Sequence, residues 1–398
     1  MDICNHNFCT GCGVCKSVCK FDSISFHEDA EGFVYPVVDA NKCRKCGTCI
    51  RTCPMNRESF NTKPADFYMA WHKDKDVLMH SSSGGVFTAL SQYVFRLKGC
   101  VFGAAVDFDT HEVYHMMIET EEDLQKLRYS KYYQSNVGNS YEEVRKQLEE
   151  DRWVLFSGTA CQIAALYQYL GSNQNEKLIT MDVLCHGVTS KKIFEKYLES
   201  KEKKYDNKVA AYSFRVKNDS IWWSKGSTMM MMMMDGSVVY ENLKTDTFFT
   251  AFNNNIILRE SCYRCKFCGT NRISDFTGAD FWGIKPEMVD TDQLKTGVSI
   301  FLVNSDKAKA LLPALINDLE ITPIDSALPI SHNRALVQPN DRPINRDKFF
   351  ETIENHDFDR TVKYFYKKKY LKQGFKSGII KVIGEEQLNN VKKIVKGK

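Results

Sequence analysis

Two cysteine runs near the start of the chain constrain its fold and chemistry more than any other feature. They read Cys9-Thr-Gly-Cys12-Gly-Val-Cys15-Lys-Ser-Val-Cys19 and Cys43-Arg-Lys-Cys46-Gly-Thr-Cys49-Ile-Arg-Thr-Cys53-Pro54. Both follow C-x2-C-x2-C-x3-C, the spacing that wraps thiolates around [4Fe–4S] cubanes. Two intervening residues make a tight loop that aims successive thiolates at neighbouring irons, and Gly11, Gly13 and Gly47 relax the backbone there. In such paired runs the fourth cysteine crosses to the other cluster. One cubane is therefore expected on Cys9, Cys12, Cys15 and Cys53, and the second on Cys43, Cys46, Cys49 and Cys19. The crossing would hold the clusters close together, as an electron relay requires. Zinc sites pair two shorter knuckles and have no use for a cysteine at x3. A disulfide framework needs an oxidising compartment, yet the opening MDICNHNFCTGCG carries no apolar signal segment. Lys20 stands after Cys19 where proline is usual, and Cys4 falls outside the pattern as an ordinary thiol.

At 398 residues the chain has room for two or three domains with real cores beyond a cluster module. Its composition, 43% hydrophobic and 26% charged, is that of a soluble globular protein. No apolar run reaches the length of a transmembrane segment, so a reducing cytoplasm is the expected location. The net charge of +4 conceals an asymmetry, because residues 361–398 carry 11 Lys against 2 Glu. Tyr364, Phe365, Tyr366 and Tyr370 interleave with that charge, a pattern compatible with nucleic acid or an anionic membrane surface. A solvated tail, or one that docks on an acidic partner, is the plainer expectation, and nucleic acid is not expected as a partner.

Between the cysteine runs, Ser23–Phe26 and Phe33–Val38 read as a hairpin across His27–Gly32, which suits a ferredoxin-type module at residues 1–58. The polar stretch Arg57–Asp66, with Pro64, reads as a linker. A strand at Phe67–Trp71 precedes Ser81-Ser82-Ser83-Gly84-Gly85, behind which Val86, Leu90, Tyr93, Val94 and Leu97 recur at helical spacing. A Ser-Gly-Gly run at a helix start offers N–H groups, hydroxyls and the dipole to a phosphate; a plain serine N-cap explains it equally well. Strands follow at Val101–Asp107 and Val113–Ile118, then helices from caps at Thr120 and Ser140. Between those caps, Ser130-Lys131-Tyr132-Tyr133-Gln134-Ser135 is either a surface loop or an anion contact.

Two units then repeat one plan: strand Trp153–Phe156, loop Ser157–Gln162 and a helix, followed by strand Leu178–Leu184, Cys185-His186-Gly187 and a helix capped by Ser190. Such alternation implies parallel strands with right-handed crossovers whose loops open on one crevice. Cys161 and Cys185 occupy those loops, and Cys262-Tyr-Arg-Cys265-Lys-Phe-Cys268 adds three more thiols. A third [4Fe–4S] cluster on Cys161, Cys185, Cys262 and Cys265 is the preferred reading. Cys268 with Cys262, Cys265 and one crevice cysteine is the alternative, and a zinc knuckle also fits so short a run. The six consecutive residues Met229–Met234 read as a strand packing methionine on both faces. Asp280 beside Phe281 and Trp282 could pack a flavin ring, shield a cluster, or simply end a buried strand at a Gly283 turn.

Taken together, the cysteine runs, SSSGGVFTAL (81–90), SKYYQS (130–135), LFSGTACQIAAL (155–166), DVLCHGVTS (182–190), SCYRCKF (261–267) and SDFTGADFWGI (274–284) resemble the coenzyme F-420 hydrogenase/dehydrogenase β-subunit family. The resemblance runs from Cys9 to about Gly297 and departs from the family's pattern at Ala160, where proline is common, and at the extra thiol Cys268. It implies an α+β chain: a bacterial-ferredoxin-like module at 1–58, a mixed α/β flavin and iron–sulfur oxidoreductase region at 66–150 and 151–350, and a basic tail at 351–398. It implies FAD, with Ser82, Ser83, Gly84, Gly85, Lys131, Ser157, Gly158 and Thr159 as contacts, and supports Cys161, Cys185, Cys262 and Cys265 as ligands of the flavin-proximal cluster. The implied activity passes electrons between clusters, or a soluble ferredoxin or other redox partner protein, and a two-electron acceptor or donor such as the deazaflavin coenzyme. The alternative is a non-catalytic electron-transfer subunit that relays electrons to a partner enzyme.

Overall fold

The two short apolar segments between the cysteine runs pair as expected, β1 (Ile24–Glu28) antiparallel to β2 (Val34–Val38). The computed structural model describes residues 2–60, 62–171, 175–217, 222–225 and 228–371. The basic tail past Leu371 lies outside the described residues. Eleven further strands follow: β3 (Asp66–His72), β4 (Cys100–Asp107), β5 (Glu112–Ile118), β6 (Val154–Thr159), β7 (Leu178–Val183), β8 (Val209–Val216), β9 (Thr228–Met233), β10 (Val238–Asn242), β11 (Phe276–Asp280), β12 (Ser299–Val303) and β13 (Leu319–Pro323).

Eight of them form one mixed sheet in the order β13-β3-β12-β11-β7-β6-β4-β5. Its four central strands, β11, β7, β6 and β4, run parallel, and the outer pairs are antiparallel. The expected parallel pairing of the two strand–helix units is therefore present, with Val154 opposite Leu178 and Thr159 opposite Val183. Strands covered on both faces should be apolar throughout, and Val101, Phe102, Val154, Leu155, Phe156 and Ile179 are all fully buried. Helix Val86–Arg96 covers one face through Ala89, Leu90 and Val94. Helices Ser140–Glu149 and Ala160–Leu170 cover the other through Val144, Leu148, Ile163 and Leu166. The carboxyl ends of β6, β7 and β11 thus open together, where such sheets hold their ligands.

A second core packs beside the sheet. Phe194, Tyr197, Phe214, Phe248 and Phe252 meet the buried methionines of β9, which lies between β8 and β10. The methionine run packs on one face only: Met229, Met231 and Met233 are buried, while Met232 and Met234 point outward. A strand's period of two makes that split unavoidable. The tail aromatics also differ from expectation. Phe365, Tyr366 and Tyr370 pack on this core, with the Tyr370 hydroxyl 2.9 Å from Thr250 Oγ1, so only Tyr364 of the four presents its ring to solvent.

Three local expectations change. The loop expected at Ser157–Gln162 is absent: β6 runs to Thr159, and a helix begins at Ala160. Thr159 and Gln162 form a capping box, which lets strand and helix join without a linker. Thr120 bonds Asp123 and leaves a short helix to begin at Leu124, and Ser140 opens its helix rather than capping it. Ser190 does cap its helix, accepting from Ile193 N–H, and it also donates to Glu31 O at 2.6 Å in the first module. Among the described residues, no helix is long and apolar enough to cross a membrane.

Candidate functional site

Gly13 and Gly47 adopt left-handed conformations, with φ of 84° and 73°, and start the short helices Val14–Ser17 and Thr48–Thr52. The same bend therefore presents cysteines twice, as the repeated spacing requires. Cys9, Cys12, Cys15 and Cys53 are buried together. Burial, then the neighbouring Cys161, Cys53 and Cys9, pushes the Cys12 thiol up to about 12. Cys15 is raised by burial and by Cys12, Cys9 and Cys53. In the second group Cys49 is raised by burial, Cys19 and Cys46. Cys53 thus stands with the first run and Cys19 with the second, the juxtaposition that crossing demands. Among the described residues, no three metal-ligating side chains converge closely enough to hold a single ion. A cubane is a larger body that takes one thiolate per iron, which fits the buried group of Cys9, Cys12, Cys15 and Cys53 and the more exposed group of Cys19, Cys43, Cys46 and Cys49.

Cys4 is not the unattached thiol that sequence suggested. Its S–H lies against the sulfurs of Cys53 and Cys9, and that hydrogen bonding lowers Cys9 to about 6 and Cys53 to about 7.

The five remaining candidate cysteines line one crevice of about 440 Å³, whose wall also includes Thr159, Arg259, Arg272 and Trp282. Cys161 sits in the first turn of its helix, 3.0 Å from Thr159 Oγ1, and Cys185 follows β7. Cys185 is raised by burial and then by Cys262, Cys161 and Cys265, so the preferred third set is brought together. A hydrogen bond from Cys268 lowers Cys265 to about 7. The proximity of Cys12 and Cys161 joins the first module to this crevice.

The flavin candidates form a second neighbourhood. Ser130 Oγ donates to Ser82 Oγ at 3.0 Å, and the adjacent Lys131 Nζ lies 2.9 Å from Leu127 O and 2.6 Å from Arg128 O. His115 Nε2 donates to Ser157 O at 3.1 Å, beside Gly158, where a Cβ would stand 3.3 Å from the imidazole. Burial holds His115 neutral, its pKa down at about 4, with Lys131 adding to the effect. The serine run does not cap its helix, which Gly85 starts in a left-handed turn. Ser83 donates instead to Val298 O, and Gly84 is pressed so close to the sheet that a Cβ would stand 2.3 Å from Ala70 O. Gly84 N–H donates to Ser299 Oγ, so that amide is committed to the sheet.

Several residues here carried no sequence signal. Arg215 lies in a β-bulge of β8 with φ of 63°, which re-aims its side chain. Its guanidinium grips Asp280 through both oxygens and reaches Ser82 O at 3.3 Å. Trp223 donates to the same carboxylate and stacks on Trp282 at 5.8 Å. Lys217 donates to Leu78 O, Ser83 O and Thr296 O. Burial pulls Lys131 down to about 7, and burial followed by Arg215 does the same to Lys217. Neither lysine has an ion-pair partner among the described residues, and Arg215 Nε and His115 Nδ1 are buried without hydrogen bonds. Half-buried lysines held only by backbone carbonyls, with open polar atoms beside them, fit an anionic, hydrogen-bonding group such as a flavin diphosphate.

That arrangement has a pH consequence. Below pH 7 both states carry charged lysines and the folded state bears the cost of burial. Between about 7 and 10.5 each of the two lysines has released a proton in the folded state that the unfolded chain keeps, so stability rises with pH across that window. Flavin-free protein is expected to gain on the order of a few kcal/mol there, seen as a rising thermal midpoint. Lys131→Met should remove only the Lys131 share of the rise and leave that of Lys217, whereas a bound diphosphate should flatten it.

Residues 8–57 match the 4Fe-4S dicluster domain. Residues 67–141 match the N-terminal domain of the coenzyme F420 hydrogenase/dehydrogenase β subunit, and residues 151–327 match its C-terminal domain. Among solved structures, a chain of the F420-reducing [NiFe] hydrogenase complex from Methanosarcina barkeri is similar, at 16% identity and a TM-score of 0.46, over 76% of this chain and 91% of that one. No curated protein matches the chain.

Proposed function

The chain belongs to the coenzyme F420 hydrogenase/dehydrogenase β-subunit family, and from that membership we propose that it is a flavin-dependent iron–sulfur oxidoreductase. Its role is to pass electrons between [4Fe–4S] clusters and a two-electron partner of the deazaflavin type. The observation that carries this reading is the nearness of Cys161 to Cys12, close enough for its charge to raise the Cys12 thiol, which supports a path from the dicluster module to the crevice. A bound flavin exchanges single electrons with clusters and electron pairs, as hydride, with a small organic molecule.

The chain's own groups account for the rest. Cys9, Cys12, Cys15 and Cys53 would hold the inner cluster, and Cys19, Cys43, Cys46 and Cys49 the outer one. Cys161, Cys185, Cys262 and Cys265 would hold a third at the crevice. Ser82, Lys131 and the Ser157–Thr159 edge, with Lys217 and Arg215, would hold FAD, the two lysines balancing its phosphate charge. Trp282, 40% exposed at the crevice mouth, offers a planar face to an aromatic acceptor.

The test is anaerobic purification with iron, sulfide and flavin quantified on one sample, followed by turnover with deazaflavin and nicotinamide acceptors. About 12 irons with one flavin per chain, and turnover of the isolated protein, are expected. About 8 irons and no flavin, even after incubation with FAD, would leave a non-catalytic electron-transfer subunit.

A further inference from the structure

The two cysteine groups of the dicluster module differ in exposure. The first is buried throughout, whereas Cys46 is exposed and Cys19, Cys43 and Cys49 are half-buried. Within three residues of that outer group the chain places Lys16, Lys20, Lys42, Arg44, Lys45 and Arg51 against one acid, Asp22. All six cations are exposed. Arg51 folds onto its own loop, donating to Cys46 O at 3.0 Å. No ion pair among the described residues claims the other five. That sets them apart from surface lysines elsewhere, many of which lie against carboxylates, as in Lys63–Asp306, Lys75–Asp292, Lys208–Glu202 and Lys309–Asp66. Phe21, two residues past Cys19, leaves its ring 44% exposed in the same rim.

We infer that this basic rim around the outer cysteine group is the docking face for an acidic one-electron carrier protein. The inference rests on the iron–sulfur relay reading and adds the partner's chemistry and its place of contact. Cations left unpaired around an exposed redox centre steer an oppositely charged partner toward it and raise the encounter rate. A small apolar centre at Phe21 suits a short-lived contact better than a permanent one. One electron crosses the contact, from the carrier's reduced centre to the outer cluster or back, and no bond is made or broken. The inner group has no exposed cysteine, so a cluster held there would exchange that electron only from within the module.

The rival face is the lysine-rich tail, and one experiment separates the two. Full-length, cluster-loaded protein is immobilised and titrated with an oxidised acidic [2Fe–2S] ferredoxin at about 20 and about 300 mM salt, where the Debye length falls severalfold. Lys42→Glu/Arg44→Glu/Lys45→Glu is expected to weaken binding by ~10-fold or more at low salt, and wild-type binding should fall steeply at high salt. Lys392→Glu/Lys393→Glu/Lys396→Glu should bind as wild type. Rim-variant affinity within about twofold of wild type, or loss on reversing the tail instead, overturns the inference. Should the first variant assemble poorly, Lys16→Glu/Lys20→Glu, outside the Cys43–Cys46 loop, is held to the same criterion. Bleaching by dithionite is followed on the same samples. Wild-type clusters that dithionite cannot reduce would sink the relay reading, whereas a rim variant that bleaches normally but no longer binds ferredoxin isolates the docking face.

Discussion

Replacing Arg259 with methionine is expected to lower stability by about 3–5 kcal/mol and to strip iron from the dicluster module. Arg259 is wholly buried. It donates from Nε to Cys9 O at 2.8 Å, from one terminal nitrogen to Gln134 Oε1 at 2.9 Å, and from the other to Val34 O at 2.9 Å. Its guanidinium also lies 4.3 Å from the centre of the Tyr35 ring. One side chain therefore ties the first cysteine run, the β1–β2 hairpin and the SKYYQS segment to the turn that carries Cys262. No carboxylate neutralises it among the described residues. The nearby Cys9 sulfur is the available counter-charge, and Arg259 contributes to the low pKa of that thiol. Methionine fills similar volume but takes the donor from three acceptors, the buried Cys9 O and the part-buried Gln134 Oε1 and Val34 O, at about 1–3 kcal/mol for a fully buried one and less for the others. Lysine should rescue poorly, because one ammonium cannot reproduce a planar fork aimed at three acceptors. Apparent thermal midpoint and iron content of the two variants, measured under argon, check this. Wild-type values for both would show that the module docks without Arg259.

Arg259 also shows where sequence reasoning stops. The cysteine spacings declared the dicluster module because ligand geometry is local, set by two-residue bends that recur at Gly13 and Gly47. The parallel strands β6 and β7 were legible because burial on both faces leaves an uninterrupted apolar run. The meeting of Cys161 and Cys185 followed from topology, since both leave the carboxyl ends of neighbouring strands. Arg259, Arg272, Arg215 and Lys217 had no such signature. Each is an ordinary cation in sequence, and its role depends on at least one partner 65 or more residues away, as in Arg215 with Asp280 or Arg272 with Asp182. Arg215 also depends on a β-bulge, and no residue type announces a non-glycine left-handed turn. Cys4 falls outside the cysteine pattern, and its place beside Cys9 and Cys53 is set by the fold rather than by spacing.

The ligand set of the third group is decided by Cys265→Ser and Cys268→Ser, expected to behave oppositely although the two thiols touch. Cys265 raises the pKa of each of Cys161, Cys185 and Cys262, so it stands among all three. Cys268 influences Cys265 and is itself affected by Cys185, at the edge of the group. Arg272, held by Asp182 Oδ2 at 2.8 Å and by Phe267 O, favours the thiolate form of both. With Cys265 standing among the other three, Cys265→Ser should remove about four irons per chain, together with one cluster signal in low-temperature EPR. Cys268→Ser should retain full iron. Cys268→Ala should also retain iron but shift that cluster to a more negative potential, because a hydrogen bond to a ligand sulfur favours the reduced, more highly charged state. Loss of iron from Cys268→Ser with retention in Cys265→Ser would exchange their roles, placing the cluster on Cys268 and leaving Cys265 as the neighbour that tunes it.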